Sequence, residues 1–223
     1  MYSLRYAILA GGLGFCGMLH AQTPDGTHYH VGAVSEYVFR GISQSDDHPA
    51  LQGGVDYKHP GGLYAGAWGS TQDIPNTRSK VRADGYAGFA YQATNGVGFD
   101  IGGRAYSNAF VFPGQARDFF WELYGSLNFG PAMVKLSHDF DGQDTYAEGE
   151  VDYDLGSGVI LGLHAGHYFL KSPGLGDDYS DFAIGVRKMF NSLELKLAVT
   201  TTTQKPSSDA NDSALILALK YQF

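Results

Sequence analysis

Residues 212–223, DSALILALKYQF, show most clearly how this chain folds. Large apolar side chains stand at every second position from Leu215 to Phe223, and small or polar side chains stand between them except at Ile216. The apolar positions are Leu215, Leu217, Leu219, Tyr221 and Phe223. Because successive side chains of a β-strand point to opposite faces, this period of two predicts a strand with one apolar face.

The same period of two recurs along the chain and predicts twelve strands in all. The predicted strands span residues 28–39, 51–58, 63–70, 80–91, 97–107, 117–128, 132–140, 145–154, 158–168, 179–190, 193–202 and 212–223. A tilted strand of about 9 to 11 residues crosses a bilayer. The predicted strands are close to that length, so they are suited to a membrane.

Short and long connections alternate between these strands. The short ones carry Gly, Asn, Ser or Pro at tight-turn positions and lie at residues 59–62, 94–96, 130–131, 156–157 and 191–192. The longer ones are mostly polar and acidic and lie at residues 41–50, 71–79, 108–116, 141–144, 169–178 and 203–211. Short turns at one end and longer loops at the other are typical of outer-membrane barrels. The sequence therefore predicts an all-β, transmembrane, antiparallel up-and-down β-barrel with short periplasmic turns and longer extracellular loops.

The composition agrees with this class and argues against others. Of the 223 residues, 31 are Gly and 17% are charged, whereas about 25% are charged in ordinary soluble domains. A formal net charge of −8 argues against a nucleic-acid-binding protein, which needs a basic face to neutralise phosphates. The plentiful aromatic residues and the low charge also argue against disorder.

The first residues of the chain predict a secretory signal peptide. Arg5 is the only charged residue in this region, residues 6–19 are largely apolar, and Ala21 precedes a polar stretch. A membrane anchor is the alternative, but the apolar run is shorter than the roughly 20 residues that span a bilayer. We therefore expect residues 1–21 to be a signal peptide that is cleaved near Ala21.

The remaining residues, 22–223, are predicted to form a single outer-membrane barrel domain. The one cysteine of the chain, Cys16, belongs to the predicted signal. The mature chain then has no disulfide, no cysteine nucleophile and no cysteine-based zinc site.

The polar faces of the predicted strands carry many charged residues. A soluble β-sandwich is the alternative arrangement, with the apolar faces inside, and alternation alone does not separate the two. The signal peptide, the alternating connections and the aromatic residues near strand ends favour the membrane. Charges inside a barrel then require water or dense pairing, so they line a conduction path, stiffen the wall as a paired network, or do both.

On this register, the candidate pore-lining residues are Glu36, Arg40, Arg82, Asp84, Asp100, Arg104, Glu122, Lys135, Glu148, Glu150, Asp152, Arg187, Glu194, Lys196 and Lys220. Acids outnumber bases on the predicted interior face as a whole, which predicts a mildly cation-preferring channel. The register of the first and third strands stays open, because Tyr64 and Trp68 fall on the face otherwise predicted to be interior.

Three segments in the first third of the chain resemble a known family. Residues 34–45, VSEYVFRGISQS, and residues 49–57, PALQGGVDY, are similar to the start of the TorF-type porins, and residues 62–70, GLYAGAWGS, continue the similarity. These are an uncharacterised Gcw-type family of secreted Gram-negative proteins assigned to the outer membrane. The resemblance implies a porin-like channel in the outer membrane of a Gram-negative bacterium, and it brings no settled binding residues.

The end of the chain carries a second resemblance. Phe223, with Tyr221 alternating before it, resembles the outer-membrane signature that the barrel-assembly machinery reads. We therefore expect the assembly machinery, outer-membrane lipid and lipopolysaccharide as partners, together with small hydrophilic solutes or ions. No nucleic acid is expected.

Taken together, these features predict a channel for passive diffusion of ions or small hydrophilic solutes, with no cofactor and no catalysis. A non-conducting structural or surface-interaction barrel is the main alternative, and an outer-membrane enzyme is another. Ser137, His138 and Asp139 have the residue types of a catalytic triad. Adjacent strand residues point to opposite faces, however, so these three side chains are not expected to converge.

Histidines also share faces on two of the predicted strands. His28 and His30 do so on the first strand, as do His164 and His167 on the ninth if that strand bends. Two histidines alone make a weak metal site, so no metal site is predicted.

Overall fold

The computed structural model describes residues 25–73, 80–94, 96–107, 119–140, 143–171, 177–204 and 213–223. Its strands are β1 (Gly26–Val34), β2 (Val38–Phe39), β3 (Ile42–Ser43), β4 (Ala50–Lys58), β5 (Leu63–Thr71), β6 (Val81–Gln92), β7 (Val97–Ser107), β8 (Phe119–Phe129), β9 (Ala132–Asp139), β10 (Thr145–Gly156), β11 (Val159–Phe169), β12 (Tyr179–Phe190), β13 (Leu193–Thr202) and β14 (Ser213–Gln222). The predicted signal peptide, residues 1–21, lies outside the described residues.

Twelve of these strands form one closed antiparallel barrel, and β2 and β3 form a separate hairpin. Each wall strand pairs with the next wall strand along the chain, and β1 pairs with both β4 and β14, so the sheet has no free edge. The predicted all-β, up-and-down barrel is therefore confirmed. Among the described residues, no helix is long and apolar enough to cross a membrane.

The seam between β1 and β14 is the shortest contact in the wall. It joins five residue pairs, whereas the other neighbouring strands share between seven and eleven. Ser35 extends the seam beyond β1: its amide donates to the Leu217 carbonyl (2.8 Å), and the Leu217 amide donates to the Ser35 hydroxyl (2.9 Å). At the other end, backbone hydrogen bonds of 3.0 Å join Tyr29 and Phe223 in both directions.

The large apolar side chains lie on the outside of the wall, and charged side chains are buried inside it. Leu215 and Ile101 are 65% and 60% exposed, whereas Arg82 and Asp84 are 2% and 3% exposed. A soluble sandwich would bury the apolar face, so this arrangement overturns that alternative. An apolar outer band around a polar interior is the arrangement that suits a barrel in a bilayer.

The first predicted strand extends too far at its C-terminal end. The predicted first strand, 28–39, ends at Val34, and residues 35–49 form a connection that contains the β2–β3 hairpin. The apolar residues Val38 and Phe39 form a strand of their own, which pairs with β3 and not with the wall. The predicted strand therefore ran on into apolar residues after the chain had left the wall.

Tyrosine rings cover glycines on the interior face. The Tyr64 and Tyr124 rings lie over Gly88 and Gly102, each directly across from its glycine on the neighbouring strand. A Cβ added to Gly88 would also lie 2.6 Å from the carbonyl oxygen of Ile101. The register left open for the third predicted strand is thereby settled, since Tyr64 and Trp68, each 4% exposed, both face the interior.

Candidate functional site

The β2–β3 hairpin is a tight two-residue turn. Phe39 pairs with Ile42, and Arg40 and Gly41 between them have φ angles of 50° and 76°. Positive φ at both central residues is the geometry of a type I′ turn, which matches the twist of the two flanking strands. This turn holds the Arg40 side chain at the tip of the hairpin.

The hairpin tip reaches across the barrel mouth at the end that carries the longer connections. Nη2 of Arg40 donates to both carboxylate oxygens of Glu122 on β8, at 2.8 Å each. The Arg40 guanidinium also lies over the rings of Tyr146 on β10 (4.4 Å) and Tyr168 on β11 (5.2 Å). The side chains of Arg40 and Glu122 are 8% and 2% exposed, so the tip is enclosed by the wall opposite β1.

Gly41 completes the contact with that wall. A Cβ added there would lie 2.5 Å from Cβ of Asp181 on β12 and 3.0 Å from Cβ of Thr202 on β13. Only a residue without a side chain fits this approach, and its positive φ favours glycine as well. Arg40 and Gly41 together therefore seat the tip of the hairpin against five strands, β8 and β10 to β13.

The base of the hairpin is anchored on the near side of the mouth. The Tyr37 ring meets the Trp68 ring edge-on at 5.5 Å between centroids, and the Tyr37 amide donates to the Ser45 hydroxyl (2.9 Å). Phe39 packs under the Arg82 guanidinium, 4.1 Å from its ring centroid. Burial raises the pKa of Glu36, which lies in the segment between β1 and the hairpin.

Further charged groups of the interior are paired. Arg82 donates to both carboxylate oxygens of Asp84, at 2.8 and 3.1 Å. Arg187 does the same to Asp152, at 3.0 and 2.6 Å, and the Lys135 ammonium lies 3.0 Å from Glu148. Paired and hydrogen-bonded charges can lie inside a barrel at an acceptable desolvation cost.

The predicted pore-lining residues on the wall all lie on its interior face. Those on strands are Arg82, Asp84, Asp100, Arg104, Glu122, Lys135, Glu148, Glu150, Asp152, Arg187, Glu194, Lys196 and Lys220. Glu36 was predicted to lie on the first strand of the wall, which is wrong, because it lies in the connection after β1; Arg40, predicted to be interior directly after that strand, lies at the hairpin tip. Whether ions pass these side chains stays a prediction.

The predicted assembly residues lie at the end of the chain, at the short-turn end of the barrel. Tyr221 and Phe223 are 48% and 64% exposed, and the Phe223 ring stacks on the Tyr29 ring across the seam at 5.9 Å between centroids. They are therefore accessible from outside the barrel, and their role in assembly stays a prediction.

A cluster around His164 was missed at the sequence level. Nε2 of His164 on β11 lies 2.9 Å from Oδ2 of Asp181 on β12, and the Tyr146 hydroxyl donates to Oδ1 of Asp181 (2.8 Å). Asp181 stands an even number of residues before Arg187 on the same strand, so the period of two could have placed it on the interior face. The meeting of three strands at one histidine had no such signal.

The three residues with catalytic side-chain types do not converge. Ser137 and Asp139 are buried on the interior face at 2% and 5% exposure. His138 stands between them on the outer face, where its Nδ1 lies 2.9 Å from the Thr145 hydroxyl. The wall itself therefore separates the histidine from the other two side chains.

Porins are among the solved structures that are similar to this chain. The chain is similar to a KdgM porin structure with a TM-score of 0.58 and 8% sequence identity, covering 88% of this chain and 99% of that one. It is also similar to a NanC porin structure with a TM-score of 0.56 and 10% identity, covering 88% of this chain and 98% of that one. At such low identity these likenesses show a shared fold. No curated protein matches the chain.

A family model covers most of the sequence. It is described as "Bacterial protein of unknown function (Gcw_chp)" and matches residues 19–217. The Gcw-type part of the resemblance seen in the sequence is thereby confirmed, whereas the TorF name stays a resemblance. The chain belongs to the Gcw_chp family of bacterial proteins.

Proposed function

We propose that this protein is an outer-membrane channel for passive diffusion of ions or small hydrophilic solutes. The observation that carries the proposal is the charged interior of a closed barrel whose outer face is apolar. So many ionised groups need water or paired partners around them. A water-containing path along the barrel axis meets that need and admits hydrophilic solutes.

The hairpin is the constriction of this channel. Its tip crosses the mouth from the β1 side and ends on Glu122, with Arg40 enclosed between aromatic rings. Solutes that enter from the loop side then pass the hairpin before they meet the rest of the interior. Pore width and lining charge at a constriction set which solutes a channel admits.

Interior acids outnumber interior bases, and we propose a mild cation preference for this reason. The described interior acids are Asp56, Asp84, Asp100, Glu122, Asp139, Glu148, Glu150, Asp152, Asp181 and Glu194; the bases are Arg40, Lys58, Arg82, Arg104, Lys135, Arg187, Lys196 and Lys220. The ion pairs described above reduce the local field at each site. The excess of acids then gives a weak preference and not strict selectivity.

Single-channel conductance in a planar bilayer tests the proposal. We expect discrete steps from the wild-type protein, and larger steps from a variant in which residues 38–43 are replaced by a short Gly-Ser linker. The matched control is Asp73→Asn, because Asp73 is a half-exposed side chain of another loop at the same end. If both the wild type and the hairpin variant are silent while folded, the channel proposal is wrong.

Ion selectivity is tested by reversing two interior charges on β10. Glu150→Lys with Asp152→Lys should move the reversal potential in a salt gradient towards anions. Asp25→Lys, an exposed position before β1, is the control and should leave it unchanged. An unchanged reversal potential in the double variant would mean that these two positions do not face the conduction path.

A non-conducting barrel is the second candidate, and the seated hairpin favours it. The paired Arg40 and Glu122 are nearly inaccessible to solvent, which suits a closed mouth as well as a narrow one. In that case the wild type is silent and the variant without residues 38–43 conducts. The same experiment therefore distinguishes an open constriction from a closed barrel.

A further inference from the structure

We propose that Glu148, Glu150 and His164 form a binding site for a divalent transition-metal ion on the interior wall. Glu150 on β10 stands directly across from His164 on β11, and Glu148 stands across from Gly166, two residues further along the pair. All three side chains therefore project from the same face of two adjacent strands. The wall itself places them, with no contribution from a connecting segment.

The spacing of the donor atoms fits one ion. Nδ1 of His164 lies 3.4 Å from Oε1 of Glu150 and 4.0 Å from Oε2 of Glu148. The three donor atoms all lie within 4.8 Å of one another. Nitrogen and oxygen ligands about 2.1 Å from a tetrahedral Zn²⁺ stand roughly 3.4 Å apart. Small side-chain rotations therefore bring all three donors within bonding distance.

The histidine supplies an independent sign of a ligand. The His164 side chain is 9% exposed, and its Nδ1 is buried and makes no hydrogen bond within the described part of the chain. A buried ring nitrogen without a hydrogen bond is costly. This atom lies 3.4 Å from Oε1 of Glu150 and 4.0 Å from Oε2 of Glu148, and a cation between the three would accept its lone pair.

The other ring nitrogen of His164 is held in the orientation that metal-binding histidines need. Nε2 lies 2.9 Å from Oδ2 of Asp181 and 3.1 Å from the Tyr146 hydroxyl. Tyr146 also donates to Oδ1 of Asp181 (2.8 Å), which keeps that carboxylate in place. When Nε2 donates its proton to Asp181, the lone pair of Nδ1 faces Glu148 and Glu150. A carboxylate behind the histidine is the usual support of a metal ligand.

The charged neighbours of the site and the adjoining cavity are compatible with a divalent ion. Oε1 of Glu148 is occupied by Lys135 at 3.0 Å, and Oε2 faces His164. A cavity of about 30 Å³ adjoins Glu150 and His164 and is also lined by Arg187 and Lys196. A water molecule needs roughly 10 to 15 Å³, so the cavity can hold one on the open side of the ion. Glu148 and Glu150 then match the charge of the divalent ion, while Lys135 stays paired with Oε1 of Glu148.

The ligand chemistry selects among metals. One imidazole nitrogen and two carboxylate oxygens suit Zn²⁺ and its first-row neighbours. Calcium takes six to eight oxygen ligands, which three side chains do not provide. The competing occupant is a proton on Nδ1 of His164, which would place an imidazolium between the same carboxylates. Metal binding displaces that proton.

Zinc binding to the detergent-purified protein tests the proposal without any measurement of conductance. After chelation and dialysis, titration with ZnCl₂ is followed by calorimetry, and bound metal is counted by mass spectrometry. We expect one equivalent that is absent from His164→Gln and from Glu150→Gln. His30→Gln is the matched control, because His30 has the same 9% side-chain exposure and faces Asp56 at 3.5 Å.

A fourth variant tests the support of the histidine. Asp181→Asn should weaken zinc binding by about 10- to 100-fold and leave one site, since outer carboxylates have effects of that size. Heat-modifiable gel mobility confirms that each variant is folded. Equal zinc content in the wild type and His164→Gln, or none in either, would show that His164 does not bind the metal. Either result overturns the site and leaves the channel proposal standing.

Discussion

The wall of the barrel and the hairpin in its mouth are both antiparallel β structure, but different interactions hold them. Each wall strand has two hydrogen-bonded neighbours in a closed ladder. The hairpin has two residue pairs, Val38 with Ser43 and Phe39 with Ile42, and an isolated two-stranded hairpin is marginal in water. Side-chain contacts such as Arg40 with Glu122 therefore keep it seated.

This difference means that the hairpin depends on the wall, whereas the wall does not depend on the hairpin. No ladder hydrogen bond of the barrel runs through residues 38–43, because β1 pairs directly with β4 and β14. Elements held by few contacts open locally at a lower free energy than the global unfolding of the protein. The mouth can thus rearrange while the wall stays folded.

A charge on the lipid-facing side of the wall should have the largest effect. Leu217→Arg, near the middle of β14, should lower the free energy of unfolding in liposomes by about 2 to 4 kcal/mol or prevent assembly. Leu193→Arg, at the turn end of β13, should cost only about 0 to 1 kcal/mol because it lies near the interface. Chemical unfolding followed by gel mobility measures both. Equal costs would place the apolar band elsewhere.

A methyl group under a tyrosine should have the next largest effect. Gly88→Ala places a Cβ 2.6 Å from the Ile101 carbonyl and against the Tyr64 ring, so we expect a loss of about 1 to 3 kcal/mol from overpacking. Gly85→Ala on the same strand meets nothing within 4 Å and should change stability by less than about 0.5 kcal/mol. The same unfolding assay separates them, and equal stability would contradict the tyrosine packing.

Removing the anchor of the hairpin should affect the hairpin and spare the wall. In Arg40→Ala the hairpin loses its contact with Glu122, and water reaches that carboxylate once the tip has left. We expect faster chymotrypsin cleavage after Tyr37 or Phe39, with the unfolding midpoint of the wall unchanged. Lys80→Gln, an exposed position on another loop at the same end, is the control. A lowered midpoint with unchanged cleavage would show that Arg40 acts on the wall.

The smallest effect on stability is expected for an ion pair that is exposed to solvent. Lys80 donates to Asp73, and this hydrogen bond lowers the pKa of the Asp73 carboxyl. Its contribution is present at neutral pH and is lost as the pH falls through that lowered pKa. Exposed pairs are screened by water and salt, so Asp73→Asn should leave the unfolding midpoint unchanged at pH 7. A clear shift would mean that this loop is held against the wall.

The contrast also explains what the sequence could predict. Alternation placed eleven of the twelve wall strands within two residues of their observed ends, because one face meets lipid and the other meets polar groups along the strand. The first predicted strand also included the apolar residues Val38 and Phe39, which lie in the hairpin. The local sequence does not distinguish an apolar strand residue of the wall from one in a hairpin inside the barrel.

The cluster around His164 had no signal in the sequence for a different reason. Glu148 and Glu150 were predicted to be interior from their own strand, and their partners come from the two strands that follow. Which residues stand across from one another depends on strand register, and register depends on turns and packing that alternation does not report. Interior position was therefore predictable one strand at a time, whereas a site shared by strands was not.

The short seam between β1 and β14 has a consequence for the order of events in folding. Most wall strands pair with a neighbour close in sequence, but the seam joins Ser35 to Leu215 across 180 positions. Contacts between distant segments form late because a long loop must close first. The sheet therefore keeps two unpaired edges until β14 pairs with β1, and the five residue pairs of the seam close it into a barrel.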